Sequence, residues 1–326
     1  MPGIFIVATA LEGSLGRSGL ELVGGARTLA RPLDLEVSAA VLGHGAHLAD
    51  AVDELHAHGV GKVYRCDHPA LTAGQSEAVL AAVDPLVGRE RPDIVLVSAD
   101  TVGREVAPRL AYRHRAALAT EVTALDVDGT VILARRQVYA GRAIATLAIT
   151  SRPAVIAVKP RALDVPERAP VRGTVEEVSA NIPSELRLQV REIHSERAEV
   201  SLDDAAVVVG GGRGIGGPEG FKLLAELARV LGGAVGASRP PADEGWVPIT
   251  WQIGQTGKSI RPNLYLAVGI SGAAQHVAGV SGARTIVAIN KDPEAPIFSL
   301  AHFGLVGDYR QIVPALIARL KDAAGT

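Results

Sequence analysis

Residues 205–218, Ala205-Ala206-Val207-Val208-Val209-Gly210-Gly211-Gly212-Arg213-Gly214-Ile215-Gly216-Gly217-Pro218, read as an aliphatic strand running straight into a glycine loop. Pro218 suits the first turn of a helix, and Phe221, Leu224, Leu227 and Leu231 then recur at helical spacing until Gly232-Gly233. Strand, glycine loop and helix start together make an anion site, because unpaired backbone N–H groups and the helix dipole point at one place. A pyrophosphate is the usual guest. Gly212, Gly214 and Gly217 match a G-x-G-x-x-G spacing, although tight turns need glycine for steric reasons alone. The next strand, Ala234–Ala237, carries Ser238-Arg239 at its tip, where an NAD-binding unit places an acid for the ribose. A guanidinium there suits the 2′-phosphate of NADP or negative charge on a flavin, so plain NAD is excluded and the other two remain.

Downstream, further strands are expected at Leu264–Val268 and Thr285–Ile289. Asp308 should cap a last helix with Ile312, Val313, Leu316 and Leu320 facing inward and a bend at Pro314. Upstream, β-branched runs at Ile4–Ala8, Val37–Leu42, Lys62–Arg65, Ile94–Ser98 and Ala154–Val158 alternate with helical patterns at His47–His58 and Gln75–Val87, and with one from Gly103 towards His114, capped by Thr101. Val122–Leu125, Val131–Leu133 and Ala143–Ile149 read as hairpin-type strands with Asp128-Gly129 at a turn. Lys159–Gly173 is rich in proline and charge, with a further proline at 183, and Leu186–Ile193 reads as one more strand. The fold class is therefore α/β in two domains. Residues 1–198 should form a doubly wound, mostly parallel sheet with an antiparallel addition, ending in a connector at about 159–185. Residues 199–326 should form a Rossmann-like parallel sheet.

Composition narrows the function. Of 326 residues 48% are hydrophobic and 21% charged, with a net charge of −2, so the chain is globular and nearly balanced. Scattered basic residues and only 3% aromatics argue against nucleic acid, which needs phosphate tracks or stacking platforms. Cys66 is the single cysteine, which excludes an intrachain disulfide. No apolar stretch reaches the roughly 18 residues of a membrane helix, and the opening Met-Pro-Gly-Ile-Phe-Ile-Val has no leader features. The expectation is a cytoplasmic protein that is not embedded in a membrane.

Three runs carry a resemblance: Trp251-Gln252-Ile253-Gly254-Gln255-Thr256-Gly257-Lys258, Leu264-Tyr265-Leu266-Ala267-Val268-Gly269-Ile270-Ser271-Gly272-Ala273-Ala274-Gln275-His276, and Ile289-Asn290-Lys291-Asp292-Pro293-Glu294-Ala295-Pro296-Ile297. The chain resembles the electron transfer flavoprotein α subunits. Gly-Ile-Ser-Gly-x-x-Gln-His followed by Ala-Ile-Asn is very specific to that family, and Gly236-Ala237-Ser238-Arg239 stands in the expected order upstream. The first-domain match is looser, in Gly103–Ala111 and Tyr139-Ala140-Gly141. The resemblance implies FAD in the second domain, with Arg213, Ser271, Gly272, Ala273, Ala274 and Gln275 at the pyrophosphate and ribityl chain. It puts Ser238, Arg239, Thr256 and His276 near the isoalloxazine, with Thr256 near N5 and His276 by the C2 carbonyl, and counts Ile253, Gly254 and Gln255 among the cofactor contacts. Asn290 and Asp308 fall at the adenosine half, and Tyr309 is counted among the cofactor contacts. It also implies a heterodimer with a β subunit that often holds AMP, flavoprotein dehydrogenases such as acyl-CoA dehydrogenases of fatty acid β-oxidation as donors, and a membrane quinone oxidoreductase as acceptor. The chain is then a redox carrier rather than an enzyme, with a bifurcating variant left open.

Physics agrees with an Arg239 role, since a fixed cation beside flavin N1 and the C2 carbonyl favours added negative charge. At about 4 Å and an effective dielectric near 20 it contributes roughly 4 kcal/mol, on the order of 0.2 V for one electron before screening. Other readings are plainer. Ser271 and His276 lack the final glycine of a hydrolase elbow. His44, His47, His56 and His58 form no metal set, Cys66 and the two tryptophans Trp246 and Trp251 read as packing residues, and the arginines at 104, 109, 113 and 115 read as a solvated helix face. An NADP-dependent oxidoreductase, or an adenine-nucleotide-binding module without redox chemistry, are the alternatives.

Overall fold

The computed structural model describes residues 3–10, 15–72, 74–139, 143–188, 190, 202 and 205–324. The chain divides into two compact units, Met1–His194 and Ser195–Thr326. The boundary expected at residue 198 lies outside the described residues, as do Ala140 and Gly141.

In the first unit β1 (Gly3–Ala10), α1 (Gly16–Leu33), β2 (Glu36–Gly43), α2 (His47–Ala57), β3 (Lys62–Asp67), α3 (Ser76–Glu90), β4 (Ile94–Ser98) and α4 (Gly103–Arg113) alternate; the strands and α2 to α4 fall where the sequence predicts, and α1 is a helix its reading did not include. They are followed by β5 (Ala117–Asp128), β6 (Val131–Val138), β7 (Ala143–Ile149), β8 (Ala154–Val158) and β9 (Thr174–Glu177). The sheet order is β7-β6-β5-β8-β4-β1-β2-β3-β9. Every pair is parallel except β5–β6 and β6–β7, the antiparallel addition. Apolar side chains alternate to both faces. Ile4, Ile6, Val41, Ile94 and Ile156 pack on one side, and Phe5, Leu42, Tyr64, Val95 and Val155 on the other. Cys66 is fully buried in the second group, and burial pushes its thiol pKa up, so it behaves as a small apolar residue.

Two expectations change here. The cap of α4 is Asp100 rather than Thr101: the Asp100 carboxylate accepts the Gly103 N–H at 2.8 Å, being better placed to meet an open N-terminal donor. Residues 186–188 and 190 form no strand, and the rest of the expected strand is outside the described residues. Their backbone bonds go elsewhere, from the Arg187 N–H to the Glu77 carboxylate at 2.8 Å and from Gln75 Nε2 to the Leu188 carbonyl at 3.1 Å. The connector contributes a strand, β9, which adds to the edge of the sheet beside β3.

In the second unit β10 (Val207–Gly211), α5 (Pro218–Val230), β11 (Ala234–Ala237), α6 (Arg239–Asp243), β12 (Leu264–Val268), α7 (Ala274–Val280), β13 (Thr285–Asn290), β14 (Phe303–Val306) and α8 (Tyr309–Ala324) form an all-parallel sheet in the order β11-β10-β12-β13-β14. Strand β10 begins two residues later than its aliphatic run suggests. On α5, Phe221, Leu224, Leu227 and Ala228 are buried, each larger one contributing about 1.5–3 kcal/mol. Asp308 caps α8 as predicted, accepting the Arg310 N–H at 2.9 Å. That helix runs on through Pro314. The bond lost at the Arg310 carbonyl belongs to an exposed residue, where water can replace it. Outer strand β14 is exposed along its whole length, Phe303, Leu305 and Val306 included.

Candidate functional site

In an open parallel sheet the strand order reverses once, and the crevice at the carboxyl ends there is where ligands sit. Here the reversal lies between β10 and β12. The loops that leave these two strands touch. Gly212 N–H donates to the Val268 carbonyl at 2.9 Å and Gly214 N–H to the Gly269 carbonyl at 3.0 Å. A Cβ on Gly212 would stand 2.2 Å from the Gly269 oxygen, and one on Gly214 2.8 Å from it. These glycines are therefore required by loop-to-loop contact.

Beside them opens a cleft of about 620 Å³. It brings together most of the residues singled out by sequence: Arg213 from the glycine loop, Ser238 and Arg239 after β11, Ile253, Gly254, Gln255 and Thr256, then Ser271, Ala273, Gln275 and His276 after β12, and Asn290 at the end of β13. Gly272, Ala274, Asp308 and Tyr309 are not among its lining residues. A Cβ on Gly272 would meet the Ile297 nitrogen at 2.4 Å, so that residue serves the fit between loops. Tyr309 is buried, and its hydroxyl donates to the Ile215 carbonyl at 2.8 Å, bracing the glycine loop from behind.

The turn from Gln252 to Lys258 is tied on two sides. Ile253 N–H donates to the Ala237 carbonyl at 2.8 Å, and Gln255 N–H to the Gln275 carbonyl at 2.8 Å. Gln252 is buried, and its Nε2 donates to Thr256 Oγ1 at 2.9 Å, which leaves the threonine hydroxyl proton free to point into the cleft. Asn290 spends its amide on the Ile270 carbonyl at 2.9 Å and its oxygen on the Asp292 N–H at 3.1 Å, so it shapes the rim.

His276 is buried, with Nδ1 3.0 Å from the Ile253 carbonyl and Nε2 2.8 Å from the Tyr265 hydroxyl. Burial lowers its pKa to about 4, so the ring is neutral. Both ring nitrogens are engaged within the protein, while the residue lines the cleft. Arg239 is also more constrained than its position suggested. Its Nε lies 3.0 Å from the Asp243 carboxylate one helical turn on, with both side chains more than half exposed. Asp243 and Gln252 line the cleft, as do Gly214, Pro240, Gly269, Ile270, Asp292, Ala295 and Pro296, which sequence reasoning did not assign to the site. Trp246 and Trp251 pack partly buried against the core.

The donor set consists of two guanidinium groups, neutral amides and hydroxyls, and glycine backbone. It fits a ligand that has a diphosphate and a polar heterocycle, as FAD does. Elsewhere Arg104 pairs with Glu121 and Arg113 with Asp84, and His44 bonds Asp67. Among the described residues no group of three or more His, Cys, Asp or Glu is placed to hold a metal ion, and no helix is long and apolar enough to cross a membrane.

Comparison with known proteins agrees with the site. Residues 201–281 match the electron transfer flavoprotein FAD-binding domain, and residues 4–183 the electron transfer flavoprotein domain. The electron transfer flavoprotein subunit alpha of Thermoanaerobacterium thermosaccharolyticum is 40% identical over 323 residues, covering 98% of this chain and 97% of the relative. That of Clostridium acetobutylicum is 36% identical, covering 98% and 97%. Protein FixB of Clostridium saccharobutylicum is 37% identical, covering 98% and 96%. On a cleft at the strand-order reversal and on similarity along nearly its whole length, the chain belongs to the electron transfer flavoprotein α-subunit family.

Proposed function

We propose that the chain holds FAD in the 620 Å³ cleft and, with a β subunit, carries electrons from flavoprotein dehydrogenases to a membrane quinone oxidoreductase. The observation that carries this reading is the convergence of Arg213, Arg239, Thr256 and the 271–276 turn on one cleft at the strand-order reversal of a family FAD-binding domain. FAD supplies one-electron chemistry that no side chain here can supply. The residues bind and orient it. Arg213 and the 271–275 turn face its diphosphate, Gln252 aims the Thr256 hydroxyl, and Arg239 sets the local potential. AMP, in this reading, belongs to the β subunit. The names of the FixB relatives leave room for a bifurcating role of the complex. Asp243 beside Arg239 disfavours the NADP alternative, because a carboxylate there repels a 2′-phosphate.

The test is the visible spectrum of the chain co-expressed with its β subunit, followed by stepwise anaerobic reduction. Stoichiometric flavin reduced in two separable one-electron steps is expected, whereas a colourless complex that binds NADPH would overturn the reading. Arg239→Ala should lower the first reduction potential. Its full charge effect is of order 0.2 V, but exposure and the Asp243 partner screen most of it, leaving a fall of about 50 mV. An unchanged potential would remove Arg239 from the mechanism.

A further inference from the structure

Tyr265 lies on the middle strand β12, fully buried, in a cluster that is otherwise apolar. Its hydroxyl crosses to the neighbouring strand at Gly210, where a Cβ would stand only 2.1 Å from the phenolic oxygen. The first glycine of the Gly210–Gly212 run is therefore glycine to admit this hydroxyl, and has no need of a phosphate to explain it. Past Gly210 the hydroxyl reaches His276 Nε2 at 2.8 Å. The other ring nitrogen meets the Ile253 carbonyl at 3.0 Å, and a carbonyl only accepts, so Nδ1 carries the proton. In a neutral ring Nε2 is then the acceptor, and Tyr265 is the donor. A continuous chain thus runs from the sheet core, through the imidazole, to the residue that begins the Gly254-Gln255-Thr256 turn.

We propose that Tyr265 is a positioning residue for the flavin cleft: its hydroxyl fixes His276 as the Nδ1–H tautomer, and His276 so held pins the Ile253 carbonyl and the turn that presents Thr256. The inference rests on the reading that FAD occupies this cleft. Without the hydroxyl, Nε2 is a buried acceptor with no donor, the ring loses the bond that fixes its orientation, and its hold on Ile253 slackens.

Three measurements on the complex of this chain with its β subunit test it. In the wild type, ¹⁵N NMR of labelled histidine, with His276 assigned through the signal lost in His276→Phe, should show Nδ1 protonated and Nε2 accepting a hydrogen bond. Tyr265→Phe, which keeps the ring and its packing, should move the Nε2 resonance to that of a free nitrogen and weaken FAD binding about tenfold, equivalent to about 1.4 kcal/mol. In a His276→Phe background the same change should weaken FAD no further, because the route from Tyr265 to the cleft is already cut. Protonated Nε2 in the wild type, FAD affinity unchanged by Tyr265→Phe, or a tenfold loss that persists without His276 would each overturn the inference while leaving FAD in the cleft. A wild-type complex that holds no FAD overturns both.

Discussion

Gly212→Ala is expected to destabilise the second unit by about 3 kcal/mol or more and to empty the cleft of FAD. The added methyl has nowhere to go. It would stand 2.2 Å from the Gly269 carbonyl oxygen and 2.7 Å from the Ile270 Cα, and both neighbours are backbone, which cannot swing aside as a side chain does. Relief requires the loops after β10 and β12 to part, breaking the Gly212–Val268 and Gly214–Gly269 hydrogen bonds that set the floor of the cleft. Urea unfolding and flavin content of the purified complex measure the two effects. Gly61→Ala is the control, since its Cβ meets open space and its backbone is unstrained. Wild-type stability in Gly212→Ala would mean that the loop contact does not govern the site.

The second large effect is a loss of stability in acid that is traceable to His276. Its pKa is lowered by burial to about 4 in the folded chain, against about 6.5 when exposed. Between those values the unfolded chain takes up a proton that the folded chain refuses, so stability rises with pH across that window. The contribution is full above pH 6.5, falls as the pH drops towards 4, and levels off below it. It amounts to about 3 kcal/mol, and other carboxylates titrate near its lower end, so the comparison needed is with His276→Phe. The wild type should lose more stability than the variant between pH 6.5 and 4. Parallel curves would mean that the imidazole already reaches solvent or is charged at neutral pH.

The alternation of aliphatic strands and helices was legible because the central strands, such as β1, β4, β8 and β12, are buried on both faces and read as continuous runs. Helix α1 was not legible. Gly19, Gly24 and Gly25 lie inside it, Pro32 near its end, and Glu21 on its buried face. Each spoils an amphipathic pattern, and the glycines and Glu21 have a packing cause: a Cβ on Gly24 would stand 2.3 Å from the Asp164 carbonyl, and buried Glu21 takes Arg17 at 2.8 Å and the Arg161 N–H at 2.6 Å. The core of the site was legible where contiguous motifs build it, at 238–239, 253–256 and 271–276. Its second layer was not, since partners such as Tyr265 for His276 are chosen by strand register. Asp243 has a signal in its i,i+4 spacing from Arg239, which the intervening Pro240 and Pro241 mask, since proline disfavours a helix interior. They occupy its first turn, where proline is tolerated.

Strand β14 leaves Phe303, Leu305 and Val306 facing water along a sheet edge whose hydrogen-bonding groups invite another strand. Such an edge behaves differently at different concentrations. At low abundance it costs little, because single apolar side chains in water are ordinary. At high abundance the same edge is a template on which a second copy can pair, so the solubility of this chain depends on what covers the edge as well as on how firmly each copy is folded.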